Sequence, residues 1–292
     1  MNKINIFCFG FGQVAEAFIN ALIDRNINFK LGITSRKDTH QIEINNIKIN
    51  SYMFENDKFD ESINNELEKA NYILISIPPV NGEDLVIKNF GISLKKNNNC
   101  KWITYLSATS VYGDHKGEWV DENSITKPTS INGINRLKAE ESWMKISKKY
   151  NLPLQIFRLA GIYSQEFNIL KRLQNNKVEL VDQKNHFFSR VHVEDIANVL
   201  IKSLENFKNN ETFNICDDKP ASQVEVAAYG AKLLKLEPPK LIKLNDIESE
   251  MLKNFYKDSK KVDNKKMKTF FKYELKYPTY VEGLNEIFNN TF

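Results

Sequence analysis

Short apolar runs alternate with amphipathic stretches over the first half of the chain. Residues 4–9 are largely apolar and end at Gly10. Val14, Ala15, Phe18, Ala21 and Leu22 then recur at helical spacing, and residues 29–34 form a second apolar run. The pattern predicts a strand, a helix and a second strand joined by short loops. It continues with strands over 47–54, 72–77, 102–106 and 154–159, and helices over 60–70, 85–94 and 134–149. Pro78-Pro79 stops one of these strands, and Gly91 is tolerated inside one helix. Runs that are apolar throughout, and not alternating, suit strands covered by helices on both faces. The predicted class is α/β, with a doubly wound parallel sheet.

After Leu159 the alternation loosens. A brief strand is predicted at 191–193, a helix over 196–204 opened by Glu194-Asp195, a strand over 213–216, and a helix over 221–236 ended by Pro238-Pro239. Asp195 reads as a helix N-cap, and Asp217-Asp218 as a turn. The last part is helical and basic. Its lysine-rich stretch from Lys260 to Lys276, which also carries Asp263 and Glu274, reads as a solvated helical face. There is no internal repeat and no low-complexity tether. The predicted organisation is a sheet domain over 1–160, to which 190–217 returns, and a small, mostly helical C-terminal substrate region over 161–189 and 218–292.

Composition narrows the classes of function. The chain has 292 residues, 41% hydrophobic and 27% charged, which is ordinary for a globular protein. A net charge of +4 with acids and bases interspersed argues against a nucleic-acid partner. No apolar run reaches membrane-spanning length, and Met1-Asn2-Lys3 leads straight into the first strand. Neither a membrane partner nor a signal peptide is therefore expected. Cys8, Cys100 and Cys216 are odd in number and far apart, and the four histidines lack ligand spacing. Reduced, buried thiols in a cytoplasmic protein are expected, and no metal site.

The sharpest local signal is Gly10-Phe11-Gly12-Gln13-Val14-Ala15, which closes the first strand and opens the first helix. Gly10 permits a tight turn, Gly12 lets backbone approach a pyrophosphate, and Ala15 is small enough for close helix–strand packing. The amides at the helix start, at Gln13 and Val14, attract phosphate. The alternative is a glycine turn that merely connects two elements. The second strand ends at Thr34-Ser35-Arg36-Lys37, with no acid before Asp38. An acid there would bind the ribose 2′-hydroxyl of NAD(H). Ser35 and Arg36 suit a 2′-phosphate, so NADP(H) is expected over NAD(H), with NAD(H) still open. The other reading of Arg36 is an ordinary exposed loop arginine. A Rossmann-type sheet follows from this turn.

Further segments, in order, strengthen the case. Tyr105 to Gly113 carries a Ser/Thr-rich V-Y-G turn after a strand. Pro128-Thr129-Ser130 through Glu140 is a proline-led entry into a helix, and Arg158-Leu159-Ala160-Gly161-Ile162-Tyr163 follows. Arg190 to Ala197 and Asn214 to Pro220 complete the series. Together they resemble the short-chain dehydrogenase/reductase superfamily, in its extended or atypical NAD-dependent epimerase/dehydratase-like branch. The resemblance implies a nicotinamide cofactor lined by Ile77, Pro78, Leu106, Ala160, Gly161 and Ile162. It also implies a Tyr and a Lys four residues apart on one helix, with a Ser or Thr after the fifth strand. Matched from Pro128, the Tyr position falls on Asn132 and the Lys position on Arg136. The Ser/Thr position falls on Ala108, between Ser107 and Thr109. Asn does not donate and regain a proton as a phenol does. Arg136 can hold a ribose but is a poor proton relay.

Three readings remain. One is an oxidoreductase or epimerase acting on a small carbonyl or sugar-like substrate, with a relocated acid at Tyr112 or Tyr163 and, less so, His115. A second is a non-catalytic NADP(H) sensor. The third is a bare scaffold, against which the glycine turn argues. Arg190 can reach a substrate phosphate or carboxylate, or make a surface salt bridge. The helix over 134–149 has no decisive apolar excess, so monomer and homodimer stay open.

Overall fold

The apolar runs become strands of one sheet in a computed structural model that describes residues 3–45, 47–183, 185–247, 249, 253 and 256–292. Met1 and Asn2, on which the reading of the N-terminus rests, lie outside the described residues. In chain order the first elements are β1 (Ile4–Phe9), α1 (Gln13–Asp24), β2 (Phe29–Ser35), β3 (His40–Ile44), β4 (Ile47–Glu55), β5 (Lys58–Phe59), α2 (Ser62–Lys69), β6 (Tyr72–Ile75), α3 (Leu85–Lys96) and β7 (Trp102–Ala108). A 3₁₀ turn, Thr109–Tyr112, leads to β8 (Trp119–Val120), α4 (Ile131–Tyr150), β9 (Leu154–Leu159), β10 (Gly161–Tyr163), α5 (Ile169–Gln174), β11 (Leu180–Val181) and β12 (Arg190–His192). Then come α6 (Val193–Glu205), β13 (Glu211–Ile215), α7 (Gln223–Leu234), β14 (Leu241–Ile242), β15 (Lys261–Val262), α8 (Lys265–Phe271) and α9 (Tyr280–Thr291).

The nine-stranded sheet runs β13-β9-β7-β6-β1-β2-β4-β3, with β5 on β4. β1 pairs in parallel with β2 and β6, β2 with β4, and β6 with β7. Strand order reverses beside β1, the topological switch point at which doubly wound sheets bind ligands. β3 and β5 are antiparallel additions to β4. β3 was not legible as a strand, because His40, Gln41 and Glu43 are exposed and only Ile42 and Ile44 are apolar.

The chain divides into two units. Unit 1 comprises Met1–Ser107, Ile134–Arg158 and Ala197–Phe213, and unit 2 comprises Ala108–Gly133, Leu159–Ile196 and Asn214–Phe292. Unit 1 packs around aromatic rings: Phe90 lies 5.3 Å from Phe9 and 5.2 Å from Phe54, ring centre to ring centre. Asp84 caps α3 by accepting from Val86 and Ile87 N–H, and it also accepts the Trp143 indole N–H. Unit 2 has its own core of Tyr163, Leu170, Ala227, Tyr280, Leu284 and Ile287. Capping boxes at Ser222/Glu225 and Thr279/Glu282 fix the starts of α7 and α9. Its C-terminal part is not helical alone, since β14 pairs with β11 and β15 with β8.

Eight asparagines, Asn26, Asn45, Asn56, Asn81, Asn151, Asn176, Asn185 and Asn210, hold left-handed backbone at turns. Their short side chains make them, after glycine, the residues that tolerate this region best. No described helix is long and apolar enough to cross a membrane.

Candidate functional site

In unit 1 the glycine turn sits where β1 passes into α1. Gly10 has φ +85°, and a Cβ there would lie 2.7 Å from Ile77 Cγ2, so the position admits glycine on both counts. Its N–H donates to Thr34 Oγ1 at 2.8 Å, and Ser76 Oγ donates to Phe9 O at 2.9 Å. These two hydroxyls, one on the end of β2 and one just past β6, pin the turn. Gly12 is the N-cap of α1 and offers no side-chain cap, and a Cβ on it would meet nothing within 4 Å. The turn therefore leaves room beside Gly12 at the positive end of a helix. Val14 is buried and Gln13 half-buried.

The register sets Phe9 opposite Ile75 and Ile75 opposite Tyr105, so Gly10 and Ile77-Pro78 follow the C-terminal ends of β1 and β6, and Leu106 lies near the C-terminal end of β7. At the end of β2, Ser35 Oγ accepts from buried Ser51 at 3.0 Å. Arg36 is exposed, with no described ion pair or hydrogen bond from its side chain.

Beneath β7, polar side chains are tied to one another. Ser107 is buried and its hydroxyl donates to Glu140 Oε1 at 2.5 Å. Glu140 also receives the Arg158 guanidinium, at 2.7 Å from Nη2 and 3.1 Å from Nε. Arg136, one helical turn before Glu140, donates to Leu106 O at 2.7 Å and to the Tyr105 hydroxyl at 3.3 Å. Burial holds the Tyr105 hydroxyl well above the usual phenol range, against the opposing charge of Arg136.

In unit 2, Tyr112 ends the 3₁₀ turn fully buried, and its hydroxyl donates to Asn214 Oδ1 at 2.7 Å. It is thus not on an open loop. Tyr163 closes β10 and is also buried, and burial pushes its hydroxyl up. Among the described residues Arg190 makes no salt bridge. Its Nη1 donates to the Phe188 and Ala221 carbonyls, and its Nη2 to Gln223. Thr109 is half-buried, Asn132 exposed, Ala160 buried, Gly161 exposed and Ile162 half-buried. His115 hydrogen-bonds the Ile125 carbonyl.

Asp195 is not the cap of α6. It sits inside the first turn, buried, and accepts from the Tyr273 hydroxyl and the N–H groups of Lys276 and Tyr277. The position before the helix is His192, whose Nδ1 accepts the Glu194 N–H. Burial lowers His192 to about 4. Asp217 is likewise no open turn: it is 1% exposed, and burial raises its carboxyl to about 8 in spite of nearby Arg190. Cys8 and Cys216 are buried free thiols, while Cys100 is half-buried.

A family model, the NAD dependent epimerase/dehydratase family, matches residues 92–216. The segment 92–216, somewhat less than half of the chain, is thus similar to this epimerase/dehydratase family. Protein YeeZ of Escherichia coli (strain K12) is 31% identical over 142 residues, 47% of each protein, so the match spans about half the length of that curated relative. A functionally unknown conserved protein from Silicibacter pomeroyi DSS superposes with a TM-score of 0.86 at 30% identity, over 98% of both chains. UDP-glucuronic acid 4-epimerase from Bacillus cereus, in complex with NAD, superposes at 0.73 with 16% identity, over 98% of this chain and 99% of that one. At that identity the likeness is one of fold.

Within this epimerase/dehydratase fold, Asn132 and Arg136 lie one turn apart at the start of α4. Within unit 1 the glycine turn, Arg36 and Ile77-Pro78 follow strand ends, Ser35 and Leu106 lie at or near the ends of β2 and β7, and Arg136 reaches the Leu106 carbonyl from α4. Tyr163 and Arg190 fall within unit 2. Sequence reasoning did not find Thr34, Ser76, Ser51 or the Glu140–Arg158 pair. The signal available for the first two was a small hydroxyl residue at the end of an otherwise apolar run.

Proposed function

We propose that this chain binds a nicotinamide dinucleotide at the Gly10–Ala15 turn and acts as an oxidoreductase or epimerase on a small carbonyl or sugar-like compound. One observation carries the reading: α1 begins at an uncapped Gly12 with open space beside it, behind a Gly10 whose φ of +85° and close Ile77 neighbour favour glycine. Backbone amides in the first turn of a helix lie at its positive end and suit a diphosphate. The residues present fit the cofactor. Gln13 and Val14 amides take the pyrophosphate, while Ser35 and Arg36 favour a 2′-phosphate and hence NADP(H) over NAD(H). Within unit 1, Ile77, Pro78 and Leu106 line the rest. The bound group supplies hydride donation or acceptance at its nicotinamide ring. Thr109 is the hydroxyl left for a substrate oxygen, because the proton of Ser107 is committed to Glu140. The smaller region supplies substrate contacts.

The second reading, a non-catalytic NADP(H) sensor, is favoured by one fact: an exposed Asn132 stands where the branch carries its phenol, and Tyr112 is sealed onto Asn214. Calorimetric titration with NADPH and NADH, followed by a screen of carbonyl compounds and nucleotide sugars for turnover, separates the two. Binding with turnover supports the enzyme, and binding without it the sensor. Failure of the folded protein to take up either nucleotide removes both.

A further inference from the structure

Among the described residues of unit 2, the buried side-chain oxygens without a hydrogen-bond partner include Tyr163 Oη and Asp217 Oδ2. Their residues are 7% and 1% exposed. Leaving such atoms dry is costly, and natural proteins seldom do so. The local topology draws them together. β10 runs parallel to β12 with Gly161 opposite Arg190 and Tyr163 opposite His192. The Asp217 N–H donates to the Arg190 carbonyl at 2.7 Å, so Asp217 sits at the end of that same ladder. Asp217 is also the charge that acts most strongly on the Tyr163 hydroxyl, and Arg190 acts on both.

Each group has capacity to spare. Asp217 Oδ1 already accepts the Lys219 N–H, which leaves Oδ2 over. The three described bonds of the Arg190 guanidinium use Nη1 twice and Nη2 once, out of five N–H donors. No ion pair joins Arg190 directly to Asp217 among the described residues. On the far side, a Cβ at Gly283 of α9 would collide with Tyr163 Oη, so the hydroxyl abuts helix backbone and has no room to turn outward.

We propose that Tyr163 Oη and Asp217 Oδ2 share one internal water molecule, with a spare N–H of Arg190 as its third partner. Three bonds are typical for a buried water. The water stitches β10, β12 and the turn after β13 into one unit from inside. With Asp217 ionised the water donates to Oδ2 and accepts from the tyrosine; with Asp217 protonated the direction reverses and the number of bonds is kept. The proposal does not depend on the nucleotide reading.

Removing a polar atom that is unbonded relieves a penalty, whereas removing one that is bonded through water adds one. Tyr163→Phe is therefore expected to lower the folding equilibrium constant, measured by urea unfolding, on the order of tenfold. A neutral or stabilising effect would overturn the proposal. Asp217→Asn and the double variant complete a cycle. Because both side chains hold the same molecule, the second change should cost clearly less in the background of the first, and additive effects count against it. If either variant fails to fold, a crystal structure of the unaltered protein decides. Density within hydrogen-bond distance of both oxygens is expected, and its absence at high resolution refutes the shared water.

Discussion

The glycine turn of unit 1 and the polar residues of unit 2 make opposite use of hydrogen-bonding groups. At the turn, the first amides of α1 have no side-chain cap, and there is open space beside Gly12. In unit 2, Tyr112 is spent on Asn214 and Arg190 on two carbonyls and a glutamine. A donor left open by a fold is available to a ligand, while one spent on its own chain is architecture. The contrast is what the nucleotide-binding proposal rests on. It also shows why the sequence positions that suggest a relocated acid need the structure to weigh them.

Several experiments can break or sharpen this contrast. The largest effect is expected from Glu140→Ala, which strands the buried Arg158 guanidinium and frees Ser107. Stability measured by urea unfolding should fall by about 3–5 kcal/mol. A loss near zero would mean that the Ser107–Glu140–Arg158 cluster is not structural. Next is pH. Asp217 lies at about 8 when folded against an ordinary 3.8, so the folded state holds its proton more tightly. Its contribution is fully present below about pH 4 and is lost as pH rises to about 8, a fall on the order of a few kcal/mol. Asp217→Asn should flatten that slope in a series of thermal melts.

Gly12→Asp places a carboxylate at the start of α1. It should leave the melting temperature nearly unchanged, since the added Cβ meets nothing, and weaken nucleotide binding about 100-fold, some ~2.7 kcal/mol. Unaltered affinity would move the phosphate site elsewhere. The smallest effect is at Arg36. Arg36→Ala should weaken NADPH about tenfold, ~1.4 kcal/mol, and leave NADH alone. An equal loss for both would remove the 2′-phosphate role.

Much of unit 1 was legible because its signals are local. Apolar runs bounded by glycine or proline gave β1, β2, β6, β7 and β9, and the helical spacing of Val14, Ala15, Phe18 and Leu22 gave α1. β3 escaped, since a strand at a sheet edge needs no apolar face and shows only Ile42 and Ile44. The role of Asp195 escaped for a different reason: its partners are 78 to 82 residues away, and no local rule reports them. The same holds for Glu140, whose partners Ser107 and Arg158 lie 33 and 18 residues off. Residues that hold a turn by side-chain hydroxyls, Thr34 and Ser76, were hidden because a single serine or threonine in a strand has many uses.

The short strand His40–Ile44 has a consequence beyond filling out the sheet. It lies antiparallel on β4 and puts His40, Gln41 and Glu43 on the rim. A longer apolar border would offer its bare amides and carbonyls to any passing extended peptide. A five-residue, polar and partly charged border is a poor template for such recruitment. This modest appendage, silent in the hydrophobic pattern, gives the sheet a border less open to edge-to-edge pairing than an apolar one of the same length.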